Sequence, residues 1–405
     1  MSDPDTDAGT VDRWVAAHHD ELVATRRHLH AHPELGFAEH ETTAYLERQL
    51  RRAGLPTRRL PGGTGLVCDV GTDGPVTVLR ADIDALPLAD LKDVPYASTR
   101  PGMCHACGHD VHTTVLLGVA RALATLPDLP GTVRCVFQPA EEQVPGGALQ
   151  VLEAGVLDGA VRAFALHCDP SVPAGRVGLR TGSITAACDR IEVTLTGPGG
   201  HTARPQLTVD LVHALARVVT EVPGLLSRQV DPRAALSLVW GSVDAGVAAN
   251  AIPQTGSLRG TLRVLDRSVW EGAEELVRRL VHRVGEDSGA AVEVEYVRGV
   301  PPVVNDPRGV ALLRTAAIET VGAEGVVQSP QSMGGEDFGW FAERLPIALA
   351  RLGTHGSDLG GPARDLHQGT FDVDERAIGV GVRLMARTAL HALAADVPAS
   401  TGSQV

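Results

Sequence analysis

Lysine is all but missing from this 405-residue chain: Lys92 is the only one among 36 basic residues, a bias that reads as GC-rich coding rather than function. Cysteine is also sparse. Six residues (Cys68, Cys104, Cys107, Cys135, Cys168 and Cys188) are too few for a disulfide scaffold in a chain this long. They read as free thiols, some available as metal ligands. No apolar run approaches the ~20 residues that a membrane span needs. The first seven residues are polar and acidic and carry no signal-peptide pattern, so a cytoplasmic location is expected. A basic excess is missing too. The net charge of −13 argues against a nucleic-acid groove or an anionic membrane as partner. What is present is an ordinary globular mixture, 43% hydrophobic and 21% charged. The length exceeds the ~250–300 residues at which a single core stops growing, so at least two domains are expected.

Apolar residues at helical spacing between Val11 and Leu29 predict a helix stopped by Pro33, and a second helix is expected over 39–53 with Gly54 as its cap. Strand-like runs at 65–70 and 76–81 flank a turn of Gly, Asp and Pro. A helix is then expected from about His112 to Leu126, a buried strand over 133–137, a helix near 147–154 and a short strand ending at His167. This alternation indicates an α/β sheet with helices on its faces. The middle of the chain changes rhythm. A strand through Ile191, Val193 and Leu195 leads to a helix over 208–222, then strands over 235–243 and 256–265. A helix opening on the capping box Ser268-Val269-Trp270-Glu271 follows, then alternation at Val292, Val294 and Tyr296. That β-α-β-β-α-β order is ferredoxin-like. Helices over 307–320, 336–344 and 375–393 and a strand over 347–352 restore the first rhythm. The fold class expected is α/β: a catalytic domain (11–186 and 299–395) with a mixed sheet and helices on both faces, interrupted by a ferredoxin-like α+β insert (187–298).

Side chains suited to chemistry cluster in loops after predicted strands, where open α/β sheets place ligands. The densest run is Cys104-His105-Ala106-Cys107-Gly108-His109-Asp110-Val111-His112, whose thiol and imidazole donors suit zinc or another late divalent metal. No second CxxC follows at zinc-ribbon spacing, and Gly108 stands where haem attachment would need histidine. Glu141 and Glu142 follow a buried strand. In extended backbone they would face opposite ways, one towards a metal and one towards a bound water. His167 and His367 close or follow apolar segments. Asp82 and Asp84 share a strand end and could orient metal-bound histidines or cap the next turn. In the insert, Gly197-Pro198-Gly199-Gly200-His201 is a glycine-rich turn without a phosphate-loop pattern, and Asn250 and Arg263 are weak signals by themselves.

Taken in order, these segments resemble the dinuclear metal-dependent amidohydrolase/peptidase family of aminoacylases, in the branch of hippurate hydrolases, auxin–amino acid conjugate hydrolases and bacterial N-acyl-L-amino acid amidohydrolases. The runs that carry the resemblance are 26–37, 80–88, 105–113, 138–142, 199–205 and 335–338, within a likeness extending from about Val11 to Leu393. It implies that Cys107, His109, Glu142, His167 and His367 ligate two divalent ions, zinc or manganese first, cobalt or nickel next. It further implies Glu141 as general base, His201 as a lid residue that reaches the active site of a dimer partner, and Asn250 and Arg263 as the grip on the substrate carboxylate. The insert would be the dimerisation domain of a homodimer. Cys104 stands where the branch usually has methionine or another residue, and Gln143-Val144 replaces the small residues common after the glutamate pair. The activity implied is hydrolysis of the amide bond of N-acyl-L-amino acids. A dipeptidase of the same family and a non-catalytic metal-binding protein are the alternatives.

Overall fold

A computed structural model describes residues 4–356 and 364–396. Among them no helix is long and apolar enough to cross a membrane. The chain divides into two compact units: Met1–Gly182, Val304–Pro330 and Asp337–Val405 form the first, Ser183–Val303 and Gln331–Glu336 the second.

The first unit is built on an eight-stranded mixed sheet. Its centre is four parallel strands in the order Thr132–Gln138, Val76–Asp82, Ala160–Pro173 and Ile347–His355. The side chains of Val76–Asp82, Thr132–Gln138 and Ile347–His355 are buried almost without a break, as expected of parallel strands covered on both faces. Leu66–Val70 and Thr57–Arg59 extend one edge antiparallel, and Val177–Leu179 and Val326–Gln328 complete the other. The helices Pro4–Ala31, His109–Leu123 and Arg376–Asp396 pack on one another, and Pro307–Val321 packs on the last of them. Gly118 lets three helices meet, because a Cβ there would lie 2.8 Å from Val382 and 3.1 Å from Leu22. Asp82 pairs with Gln138, and Arg80 with Ala165, so His167 lies level with Asp82 at the carboxyl end of the parallel strands.

The second unit has a four-stranded antiparallel sheet ordered Ser237–Ala245, Thr255–Val264, Ala187–Thr196, Ala291–Val300. Two helices, Leu211–Leu226 and Arg267–Glu286, pack against it and each other. In chain order this is β-α-β-β-α-β. The second helix buries Trp270, Ala273, Val277, Leu280, Val281 and Val284, a stripe at helical spacing. The buried Asp189 carboxylate accepts from Trp270 Nε1, Tyr296 Oη and Gly299 N.

The expected α/β class with an α+β insert is the one observed; several element boundaries differ. The helix expected from His112 begins at His109, because Gly108, at φ +87°, lets the chain enter the helix directly from the Cys107 loop. The helix expected to open at Ser268 is capped by Asp266, which accepts from Val269 N at 3.1 Å, while Ser268 Oγ donates to the same carboxylate. The strand expected to stop at His167 continues to Pro173. Residues 337–343 form a 3-10 segment instead of an α-helix.

Candidate metal centre

The turn after Thr132–Gln138 sets the position of the two glutamates. Ala140 adopts φ +54°, in the left-handed region, so Glu141 and Glu142 lie in a turn rather than in extended backbone. They therefore do not face opposite ways. His109 Nε2 lies 3.8 Å from Glu141 Oε2 and 3.9 Å from Glu142 Oε1, so both carboxylates converge on one imidazole. Two buried acids hold the turn. Glu39 Oε1 accepts from Ala140 N at 2.8 Å, and Asp84 Oδ2 accepts from Glu142 N at 3.0 Å. Burial pushes the Glu39 carboxyl up to about 7.

His109 sits in the first turn of its helix. Its Nδ1 contacts the Asp84 carbonyl oxygen at 2.9 Å and Asp84 Oδ1 at 3.2 Å, which points Nε2 inward. That Nε2 is buried and has no hydrogen-bond partner. Cys107 Sγ is 3.6 Å from His167 Nε2, whose ring donates through Nδ1 to the Cys168 carbonyl at 2.7 Å. His367 reaches the cluster because its N donates to the Ala106 carbonyl at 2.8 Å, and its Nε2 then lies 3.2 Å from Glu142 Oε1. Three overlapping sets result, each with candidate ligand atoms within 4.8 Å of one another: Cys107, His109 and His167; Cys107, Glu142 and His367; His109, Glu141 and Glu142.

Electrostatics matches this geometry. Burial, aided by the Glu142 charge, pushes the Cys107 thiol well above its ordinary range. Burial and the Arg351 charge hold His167 well below the usual histidine range, leaving a neutral ring with a bare Nε2. Burial also works against the charged form of His109, but Asp82, Asp84 and Cys107 outweigh it and raise that ring well above its ordinary value. The hydrogen bond to Glu142 raises His367. Buried acids, a buried thiol and an unpartnered imidazole nitrogen together fit a cation, which would stabilise the thiolate and carboxylates and take the place of the proton they hold on His109.

Asp82 and Asp84 take different parts. Asp84 steadies His109 and Glu142, whereas Asp82 pairs with Arg80 and with His112 Nδ1 at 2.6 Å. Two supports went unassigned: His112, which closes the Cys104–His112 run and whose Nε2 accepts from Cys168 N at 2.8 Å, and Glu39, which lies outside every motif. Both act through contacts between distant stretches of chain. His201, Asn250 and Arg263 belong to the second unit. His201 and Asn250 are exposed on one two-stranded ribbon, where Ala251 pairs with His201 and Thr202 N donates to the Asn250 carbonyl. Arg263 Nη1 donates to the Met333 carbonyl at 2.5 Å.

The profile of peptidase family M20/M25/M40 matches residues 78–391. A putative glutamate–cysteine ligase from Rhodococcus jostii is 49% identical over 372 residues, 91% of this chain; the chain spans only 46% of that relative's length. An N-acetyl-L-cysteine deacetylase from Bacillus subtilis is 37% identical over 88% of this chain and 85% of its own. The crystal structure of a dinuclear metal-binding peptidase of the M20 family from Bacillus subtilis superposes with a TM-score of 0.81 at 34% identity, covering 94% of this chain and 99% of that one. With a family profile spanning most of its length and a centre of thiol, imidazole and carboxylate donors, the chain belongs to peptidase family M20/M25/M40.

Proposed function

We propose that the chain is a metal-dependent amidohydrolase that cleaves N-acyl-L-amino acids into a carboxylic acid and an amino acid. The observation that carries this reading is the clustering of Cys107, His109, Glu141, Glu142, His167 and His367 in three overlapping ligand sets, two of which include His109 with its buried, unpartnered Nε2. The N-acetyl-L-cysteine deacetylase relative supports the substrate class. Cys107, His109, Glu142, His167 and His367 would hold two divalent ions, zinc or manganese first. Bound there, such ions supply Lewis acidity and lower the pKa of a coordinated water. Glu141, the carboxylate left over from that ligand set, takes the proton of the attacking water and returns it to the departing amine. Asn250 and Arg263 grip the free carboxylate of the substrate, with the arginine fork suited to bidentate pairing. His201 donates to the acyl oxygen as negative charge develops, a contribution of ~3–4 kcal/mol for a well-placed donor.

The second unit is assigned the role of lid and dimerisation domain. The edge strand Ser237–Ala245, with Val239 and Val243 exposed, supports a homodimer through this surface. The test of the central assignment is Glu141→Ala. Turnover of N-acetyl and N-benzoyl amino acids should vanish while metal content stays at the parental level, and retained turnover would remove Glu141 from the base role. If free dipeptides outcompete the N-acyl substrates, the activity is that of a dipeptidase instead.

A further inference from the structure

The only lysine of the chain is buried. Lys92 has a side-chain exposure of 1%, and Nζ lies 2.8 Å from Asp90 Oδ1 and 3.8 Å from Sγ of the fully buried Cys104. His30 closes the group: Nε2 is 3.3 Å from Asp90 Oδ2, and candidate ligand atoms of His30, Asp90 and Cys104 lie within 4.8 Å of one another. The ammonium already supplies the cation that these groups could otherwise recruit. Backbone bonds in both directions between Leu86 and Cys104 fix the sulfur in place.

Burial does not by itself explain a lysine here. Arg26 and Arg80 are equally buried, and each pairs with carboxylates in the same unit, so arginine serves this chain even for buried ion pairs. What an ammonium can do and a guanidinium cannot is lose a proton and act as a nucleophile. The one position that keeps this capacity sits against a thiol.

We propose that Lys92 and Cys104 form a redox modification site, in which a peroxide-class oxidant joins the two side chains by a reversible nitrogen–sulfur bond. In the first step hydrogen peroxide oxidises the Cys104 thiol to a sulfenic acid: sulfur loses two electrons, the O–O bond breaks and one water leaves. Lys92 then passes a proton to Asp90, and its amine attacks the sulfur. The S–N bond forms, the S–O bond breaks, and the departing hydroxide takes the second nitrogen proton as water. Two thiols of an added reductant reverse the link, restoring thiol and amine and leaving as a disulfide. The cross-link protects Cys104 from irreversible oxidation to the sulfinic acid. It also ties residue 92 to the stretch that carries Cys107 and His109.

The lysine count makes the test simple. The full-length folded protein is treated with hydrogen peroxide, then denatured, alkylated and digested with a lysine-specific endoprotease. Untreated protein should be cut once, into residues 1–92 and 93–405. Treated protein should yield a fraction that resists cutting, and its intact mass, read on a portion denatured without alkylation, should lie about 2 Da below that of the untreated chain. Dithiothreitol given before alkylation should restore the cut. Cys104→Ala should be cut completely after the same treatment, and Lys92→Arg should carry peroxide-derived oxygen on Cys104 instead. Complete cutting of the treated wild-type chain would overturn the proposal, as would a Lys92→Arg variant whose Cys104 oxidation matches that of the wild type.

Discussion

Replacing Asp84 by asparagine removes one charge and almost no volume, and it should weaken metal binding by ~10–100-fold. The reason lies in what the carboxylate does twice. It accepts from Glu142 N at 3.0 Å and contacts His109 Nδ1 at 3.2 Å, both from a fully buried position. An asparagine has one acceptor end and one donor end, so it can satisfy only one of these neighbours and turns a donor towards the other. The His109 ring keeps the Asp84 backbone carbonyl at 2.9 Å, so its orientation survives. What is lost is one charge-assisted hydrogen bond, ~1.5–3 kcal/mol, which corresponds to that range in affinity. The assay is competition of the metal-loaded protein against a calibrated chelator, with far-UV circular dichroism confirming the fold. Parental affinity in a folded Asp84→Asn protein would refute the claim that Asp84 supports two ligands at once.

Three further outcomes are expected. Gly108→Ala should destabilise the protein by ~1–3 kcal/mol in chemical denaturation, because φ is +87° and a Cβ would lie 2.8 Å from Cys168 Sγ; a neutral effect would mean that the His109 helix can start differently. His30 is raised to about 10: burial disfavours its charged form, but hydrogen bonds to Asp110 and Asp90 prevail. That stabilisation is complete below the ordinary value of 6.5 and is lost as pH climbs through 10. The urea stability of the wild type relative to His30→Gln should therefore shrink by on the order of a few kcal/mol across that window, and a difference flat with pH would contradict it. Glu39→Gln should lower kcat with the fold intact, because the Ala140 N–H that sets the Glu141 turn then meets a weaker acceptor; unchanged kcat would make Glu39 dispensable for the turn.

Much of the site was legible because its chemistry is written in short runs. Cys107 and His109 share one loop, Glu141 and Glu142 are adjacent, and strand ends are where an α/β sheet exposes such groups. The ferredoxin-like order of the second unit followed from alternation and helix spacing alone. What escaped depends on contacts between distant segments. Glu39 grips a backbone N–H 101 residues away, and His112 bridges Asp82 to Cys168 across helix and sheet. The turn at Ala140, which swings both glutamates to one side, needs a positive φ that alanine does not advertise. In the sequence Lys92 reads as a trace of codon usage; only the fold buries it against Cys104.

The most direct test of the central claim is reconstitution. The protein is stripped with a chelator and reloaded with zinc, manganese, cobalt or nickel, and hydrolysis of N-acetyl, N-benzoyl and N-indoleacetyl amino acids is measured beside metal content. The account expects no turnover after stripping, recovery as two equivalents per chain are restored, and binding without recovery in Glu141→Ala. Full hydrolysis by the metal-free protein, or metal uptake unaffected by replacing His109 and Glu142 together, would contradict it.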